Sequence, residues 1–264
     1  MTHHASSGAP APEGAGVTHV AFGRAWHIAP EHADEIRGLL AACRSAADWG
    51  PVETLKQDRG SRVFAAGRCV IKESGPRKGR GLLRFGLRRS GSRRAFRIGR
   101  RLVALGTPTP EPLAWATERR LGLRVRDFLI TRRMEGAEAL KDRCLRAAAL
   151  PGEREEILVR IGALAAAFHR HGLSNRDLKD ENILCAAGAP LALWVVDLDG
   201  VRRLWGAARH RAQRDLWPIA RSLRRLGWST AADEEALLRG YNGAVPATLR
   251  RAAFPYLRDT GPVV

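Results

Sequence analysis

Five residues of this sequence have the types and spacing that transfer of a phosphoryl group to a hydroxyl requires. Asp177 and Asn182 lie five residues apart in the run Leu173-Ser174-Asn175-Arg176-Asp177-Leu178-Lys179-Asp180-Glu181-Asn182-Ile183-Leu184. A carboxylate must accept or orient the proton of the attacking hydroxyl, and an amide must reach a metal ion on the phosphates. A loop of this length turns both side chains into one cleft. Lys179 can point into the same cleft and neutralise charge on the transferred group. Fifteen residues after Asn182, the apolar run Trp194-Val195-Val196 delivers Asp197, a hard oxygen donor suited to Mg²⁺. Asp199 is a weaker second candidate. Lys72 closes the run Cys69-Val70-Ile71, 105 residues before Asp177. It is placed to hold nucleotide phosphates. The expected roles are therefore catalytic for Asp177 and Lys179, nucleotide-binding for Lys72, Lys179, Asn182 and Asp197, and metal-binding for Asn182 and Asp197. The expected cofactors are ATP and Mg²⁺.

The elements that must position these groups follow from the hydrophobic pattern. Residues 1–16 are rich in Gly, Ala, Pro and Ser and read as a disordered tail. Residues 30–47 predict a helix with Pro30 in its first turn and Ile36, Leu39, Leu40 and Cys43 on one stripe. Three strands are expected over 52–73, with turns at Gly60 and Gly67. The turn between the first two, Gln57 to Val63, stands where a phosphate-covering loop belongs. Residues 76–91 read as a basic, Gly-rich loop. Residues 92–105 predict a basic helix with Ser92 as N-cap and Gly106 as its stop. The segment TPTPEPLAW must be extended. Two strands meeting at Leu121-Gly122 fill 112–133, an amphipathic helix covers 152–171, and two short strands precede a helical C-terminus.

The chain has 264 residues and a formal net charge of +18. Only five of its basic residues are lysines, at 56, 72, 78, 141 and 179, so each is informative. The arginine excess fits codon bias, and also an anionic partner such as a nucleotide, a phosphorylated lipid or nucleic acid. The four cysteines form no C-x-x-C pair, and the histidines have no metal-ligand spacing, which argues against a disulfide framework or a zinc site. No apolar run approaches membrane-spanning length and no signal peptide is evident. A cytoplasmic location is expected, with peripheral contact at the inner membrane face.

The loop at 173–184 matches the kinase pattern H-R-D-L-x-x-x-N with Asn175 in place of His, Asp197 takes the place of the D-F-G aspartate, and Val70-Ile71-Lys72 matches V-A-I-K. The motifs VIKES at 70–74, LGTPTPEPLA at 105–114, FHRHGLSNRDLKDENIL at 168–184 and VVDLDGVR at 195–202 resemble the lipopolysaccharide kinase (Kdo/WaaP, InaA-like) family over residues 52–243. The resemblance implies an α+β, bilobal protein-kinase-like fold. Its β-rich N-lobe would cover 17–135, and its helical C-lobe 136–264. It also implies phosphorylation of a lipopolysaccharide sugar by ATP and Mg²⁺, with an anionic glycolipid or sugar acceptor. Thr131 to Gly136 would connect the lobes, with backbone groups facing adenine.

Two departures bear on activity. The helix at 92–105 has no acidic residue to hold Lys72. Glu73, Glu118 or the phosphates alone must then hold it, and a weak enzyme is one consequence. Asn175 replaces the His, at a position whose role is structural. Only 18 residues separate Asp197 from Asp215, which begins the next good helix, and no A-P-E occurs there. That interval excludes a full activation segment and disfavours a protein acceptor. Asp215 is expected to cap its helix or anchor the loop. The rivals are a kinase of another small molecule or of protein, and a pseudokinase that binds anions or nucleic acid. Asp177, Lys179, Asn182 and Asp197 argue against the latter, and no nucleic-acid recognition motif is present.

Overall fold

The computed structural model describes residues 16–43, 49, 52–58, 60–76, 85–87, 89–147, 151–186, 191–204, 208–253 and 257. Most of the expected tail and loop at 76–91, and the side chain of Asp215, lie outside the described residues.

Strand alternation sets which face each side chain takes. In β5 (Cys69–Ser74), Cys69 and Ile71 are buried in the small-lobe core, so Lys72 must face the other way, toward the cleft. β5 belongs to a seven-stranded antiparallel sheet, together with β1 (Val17–Ala21), β2 (Arg24–Ile28), β3 (Glu53–Asp58), β4 (Ser61–Ala66), β6 (Pro112–Arg120) and β7 (Leu123–Arg132). The order is β1-β2-β6-β7-β5-β4-β3. Leu121 and Gly122 both have positive φ, the backbone that a two-residue hairpin between twisted strands needs. The β1–β2 hairpin was not expected from the pattern. Each strand is only five residues long, yet Trp26 pairs with Ala116 of β6 and is fully buried. Trp26, Trp49, Phe64 and Phe128 form the aromatic centre of this core.

The first helix begins as a 3-10 turn at Pro30–His32 and continues as α1 (Ala33–Ala42), with Ile36 and Leu40 buried. α2 (Gly91–Ala104) has its N-cap two residues earlier than the pattern suggests. Ser90, not Ser92, is the N-cap, its Oγ accepting from the Arg93 amide at 3.1 Å, while Ser92 is buried inside the helix. Ala95, Gly99 and Leu102 form the buried stripe. Gly99 allows a close approach there, since a Cβ would lie 3.0 Å from Pro112 and 3.3 Å from Leu198 and would press on both side chains. The extended link that follows is fastened to the other lobe: the Val195 amide donates to the Pro108 carbonyl at 3.1 Å, and Thr109 Oγ1 to the Val195 carbonyl at 2.8 Å.

A second core lies among α3 (Leu140–Ala147), α4 (Pro151–Arg170), α5 (Ala208–Arg225) and α6 (Ala231–Ala244). Beside these helices stand β8 (Glu138–Ala139), β10 (Ile183–Ala186) and β11 (Ala192–Val195) in one sheet, and β9 (Leu173–Asn175) with β12 (Val201–Arg203) in another. Among the described residues, no helix is long and apolar enough to cross a membrane. α4 and α6 cross backbone to backbone at Gly162 and Gly240. A Cβ on Gly240 would stand 1.9 Å from the Val159 carbonyl oxygen, and one on Gly162 would stand 2.2 Å from that of Leu237. The start of α6 is locked by a capping box between Thr230 and Asp233, and Arg154 of α4 donates to both oxygens of Asp233 at 2.8 and 2.6 Å.

Two measurements check this packing. Gly240→Ala must wedge the two helices apart, and the expected loss is about 3 kcal/mol in urea unfolding. Burial pushes the Asp233 carboxyl up, but the Arg154 and Thr230 hydrogen bonds outweigh it and hold the group below its ordinary value. Its stabilisation is therefore full above the ordinary carboxylate range and lost as pH falls through the depressed value. In Asp233→Asn that part of the acid limb disappears from the stability–pH curve.

Candidate active site

The loop that carries Asp177, Lys179 and Asn182 runs from β9 to β10. Asn182 Nδ2 donates to the Asp177 carboxylate at 2.8 Å and to the Asp177 carbonyl at 3.0 Å, so the two side chains predicted to work together are in contact. Lys179 Nζ lies 3.7 Å from Asp177 Oδ1 and 3.6 Å from Glu181. Asn175 accepts from the Asp177 amide at 3.1 Å, the structural task expected at that position. The loop is tied to the strand that carries the next aspartate, because the Val196 amide donates to the Asn182 carbonyl at 3.0 Å.

Asp197 follows β11 and meets Lys72 from the opposite lobe, with Nζ to Oδ2 at 3.1 Å; Asp199 lies 3.7 Å from the same ammonium. The sequence leaves Glu73, Glu118 or the phosphates alone to hold Lys72; the two glutamates do not reach it, and two aspartates do. Glu73 pairs with Arg126 at 3.4 Å, and Glu118 with Arg24 at 2.9 Å. With no acidic residue on α2, the nearest available carboxylates are those of the large lobe. Burial works to lower the Lys72 pKa, but the charges of Asp197 and Asp199 reverse this and leave it above the ordinary lysine value. Burial likewise pushes Asp197 up, and Lys72 outweighs it, leaving Asp197 below the ordinary value. Asp199 goes the other way: burial raises it, Lys72 lowers it, and the neighbouring Asp197 charge tips the balance upward.

Three supporting residues escaped the sequence reading. Asp180 is buried and accepts from Ser222 Oγ of α5 at 2.7 Å, with Arg225 3.7 Å away, so it anchors the loop to the large lobe. Arg94 of α2 donates to the backbone carbonyls of Asp199 (3.1 Å) and Val201. Gly200 lets the two loops meet: a Cβ there would stand 2.5 Å from Asn175 Oδ1, 2.7 Å from the Asp177 amide and 2.8 Å from the Asp177 Cβ. The Asp-Leu-Asp-Gly run could have flagged Gly200. Nothing local marks Arg94 among its neighbouring arginines.

A β-rich lobe over a helical one, with a lysine on the small-lobe sheet facing two aspartate loops below, defines the protein-kinase-like class of phosphotransferase folds. A solved structure titled "WaaP in complex with acyl carrier protein" shares this fold with a TM-score of 0.55 and 19% identity, over 74% of this chain and 78% of that one. The chain belongs to the lipopolysaccharide kinase (Kdo/WaaP) family, which matches residues 77–241. A 3-deoxy-D-manno-octulosonic acid kinase of Xanthomonas oryzae pv. oryzae is 34% identical over 253 residues, 88% of this chain and 93% of that protein. One of Xylella fastidiosa (strain M12) is 32% identical over 153 residues, 56% of this chain; that match spans only 57% of the relative's length.

Gly200→Ala tests the loop contact. The added methyl must displace the Asp177 loop or the Asp199 turn, and misplacement on this scale costs about 10²-fold in turnover. Phosphate transfer should fall by that order while circular dichroism and the melting temperature show a folded protein. Unchanged turnover would refute the stated role of the contact.

Proposed function

We propose that this chain transfers the γ-phosphoryl group of ATP to a sugar hydroxyl of the lipopolysaccharide core or a related envelope glycolipid. One observation carries the reading: the Asp177–Asn182 contact at 2.8 Å stands in the loop joined to the strand that brings Asp197 to Lys72 at 3.1 Å. Acid, amide and the two lysines thus converge on one cleft. The family membership and the likeness, over 88% of this chain, to a 3-deoxy-D-manno-octulosonic acid kinase support the same reaction and acceptor class.

Asp177 accepts the proton of the acceptor hydroxyl as its oxygen bonds to the γ-phosphorus and the bond to the β–γ bridging oxygen breaks. Lys179 offsets charge on the transferred group, and Lys72 holds the phosphates of the nucleotide. The donor set fits Mg²⁺: Asp197 and Asp199 offer carboxylate oxygens, and Asn182, whose Nδ2 is committed to Asp177, keeps its carbonyl oxygen for a cation. When bound, Mg²⁺ would neutralise phosphate charge, held by Asn182 and Asp197 with Asp199 as an added ligand. The nucleotide would lie between a small lobe ending at residue 135 and a large lobe beginning at 136, with Thr131 to Gly136 facing adenine. A lipid-borne acceptor would be met at the inner face of the cytoplasmic membrane.

The test is transfer of label from γ-labelled ATP to a Kdo-bearing lipid acceptor. Asp177→Ala should lower kcat by about 10²–10⁴-fold. Asp197→Asn should lower it by at least about 10²-fold, since charge on the phosphates loses its partner. Wild-type protein that binds Mg-ATP yet labels no sugar or lipid acceptor would defeat the reading. Full activity in Asp177→Ala would defeat the site assignment.

A further inference from the structure

Two arginine-rich stretches that are far apart in sequence meet in the fold. Between α2, strands β2 and β6 of the sheet and β12 lies a cavity of about 1040 Å³. Eight of its sixteen lining residues are arginine and none is acidic. Arg93, Arg94, Arg97 and Arg101 come from α2, and Arg202 and Arg203 from β12. The floor is aromatic: the His27 ring stacks on Trp115 with centroids 4.1 Å apart, and the Arg93 guanidinium stands 5.7 Å over Trp115. The cavity includes none of Lys72, Asp177, Lys179, Asn182 or Asp197, so it is not the nucleotide cleft.

Arg94 and Arg202 donate to the backbone carbonyls of Asp199 and Val201, which orients their guanidinium groups without neutralising them. So many cations around one hollow repel each other and focus a positive potential into it. A ligand with several anionic groups relieves that repulsion and meets planar donors suited to phosphate or carboxylate. Val201 at the rim pairs with Asn175, two residues before Asp177, so the cavity adjoins the reacting loop.

We propose that this cavity binds the phosphorylated part of a glycolipid headgroup, with arginines of α2 and β12 on its phosphates. The proposal rests on the glycolipid-kinase reading and assigns the acceptor's anionic groups to a surface separate from the nucleotide cleft.

The test uses the whole protein and the double variant Arg93→Gln/Arg203→Gln, with Arg37→Gln/Arg239→Gln as a control of equal charge loss elsewhere. Three probes are compared by co-sedimentation or titration calorimetry. They are phosphatidylcholine vesicles carrying lipid A (a glycolipid with two phosphate monoesters), vesicles of matched charge carrying phosphatidylglycerol, and soluble tripolyphosphate. Mg-ADP affinity reports on the cleft. The expected result is preference for lipid A vesicles, weakened at least about tenfold in the cavity variant, with Mg-ADP affinity unchanged and the control like wild type. Equal binding to both vesicles, or equal loss in the control, would overturn the proposal as mere charge attraction. Tripolyphosphate binding without lipid A binding would overturn the headgroup assignment. Label transfer to the acceptor with a KM unaffected by the cavity variant would overturn this inference alone. Cavity-dependent lipid A binding in a protein that transfers no phosphate would support the site and defeat the kinase reading.

Discussion

The organising constraint is one ammonium group whose carboxylate partners, among the described residues, all come from the opposite lobe. Lys72 projects from the middle of an antiparallel sheet, half-shielded from water, and the helix behind it brings only cations. Its partners, Asp197 and Asp199, come from the opposite lobe. Each charge in this cluster would be costly to shield alone, and each offsets the cost for the other. The pairing therefore fixes several independent features at once. β5 must present Lys72 on the face opposite Ile71, β11 must end at Val195 so that the aspartates turn toward it, and the turn after Asp199 must pass close over the Asp177 loop, which only a glycine at 200 permits.

This arrangement gives α2 a different task from holding the lysine. The helix grips the backbone of the aspartate turn instead, through Arg94, and packs against Leu198 through the gap left by Gly99. Position of the helix and position of the carboxylates are coupled by hydrogen bonds to backbone carbonyls and by close packing. An all-basic helix is thus compatible with an ordered cleft. The absence of a helix glutamate changes which groups hold the lysine and leaves the cleft assembled.

Much of this was legible in the chain because the chemistry is local. Asp177, Lys179 and Asn182 share one short loop, and a single strand carries Asp197, so spacing alone placed them. Lys72 stood out through the scarcity of lysine. The strands at 52–73 and 112–133 announced themselves by alternation and by the Leu121-Gly122 turn. What remained hidden depends on contacts between distant segments. No pattern links Asp180 to Ser222, 42 residues on, or selects Arg94 from a run of similar arginines. The aspartate partners of Lys72 were hidden: Glu73 and Glu118, the carboxylates that stood beside the phosphates as alternatives, are near in sequence or strand order, yet both face arginines. The β1–β2 hairpin was missed because its strands are short and its burial depends on pairing with β6.

The link between α2 and β6 has a mechanical consequence. Pro108 and Thr109 are bonded to Val195 of the large lobe, while the chain itself crosses between lobes after β7. Arg94 of α2 and the Lys72–Asp197 pair add further ties between the lobes. Val195 lies two residues before Asp197, so these ties gather beside the aspartates and resist sliding there. Opening would then be widest far from them, at the outer edge of the sheet, and narrow at Lys72. The cleft could admit and release a nucleotide at its mouth while its charged centre stays nearly in register.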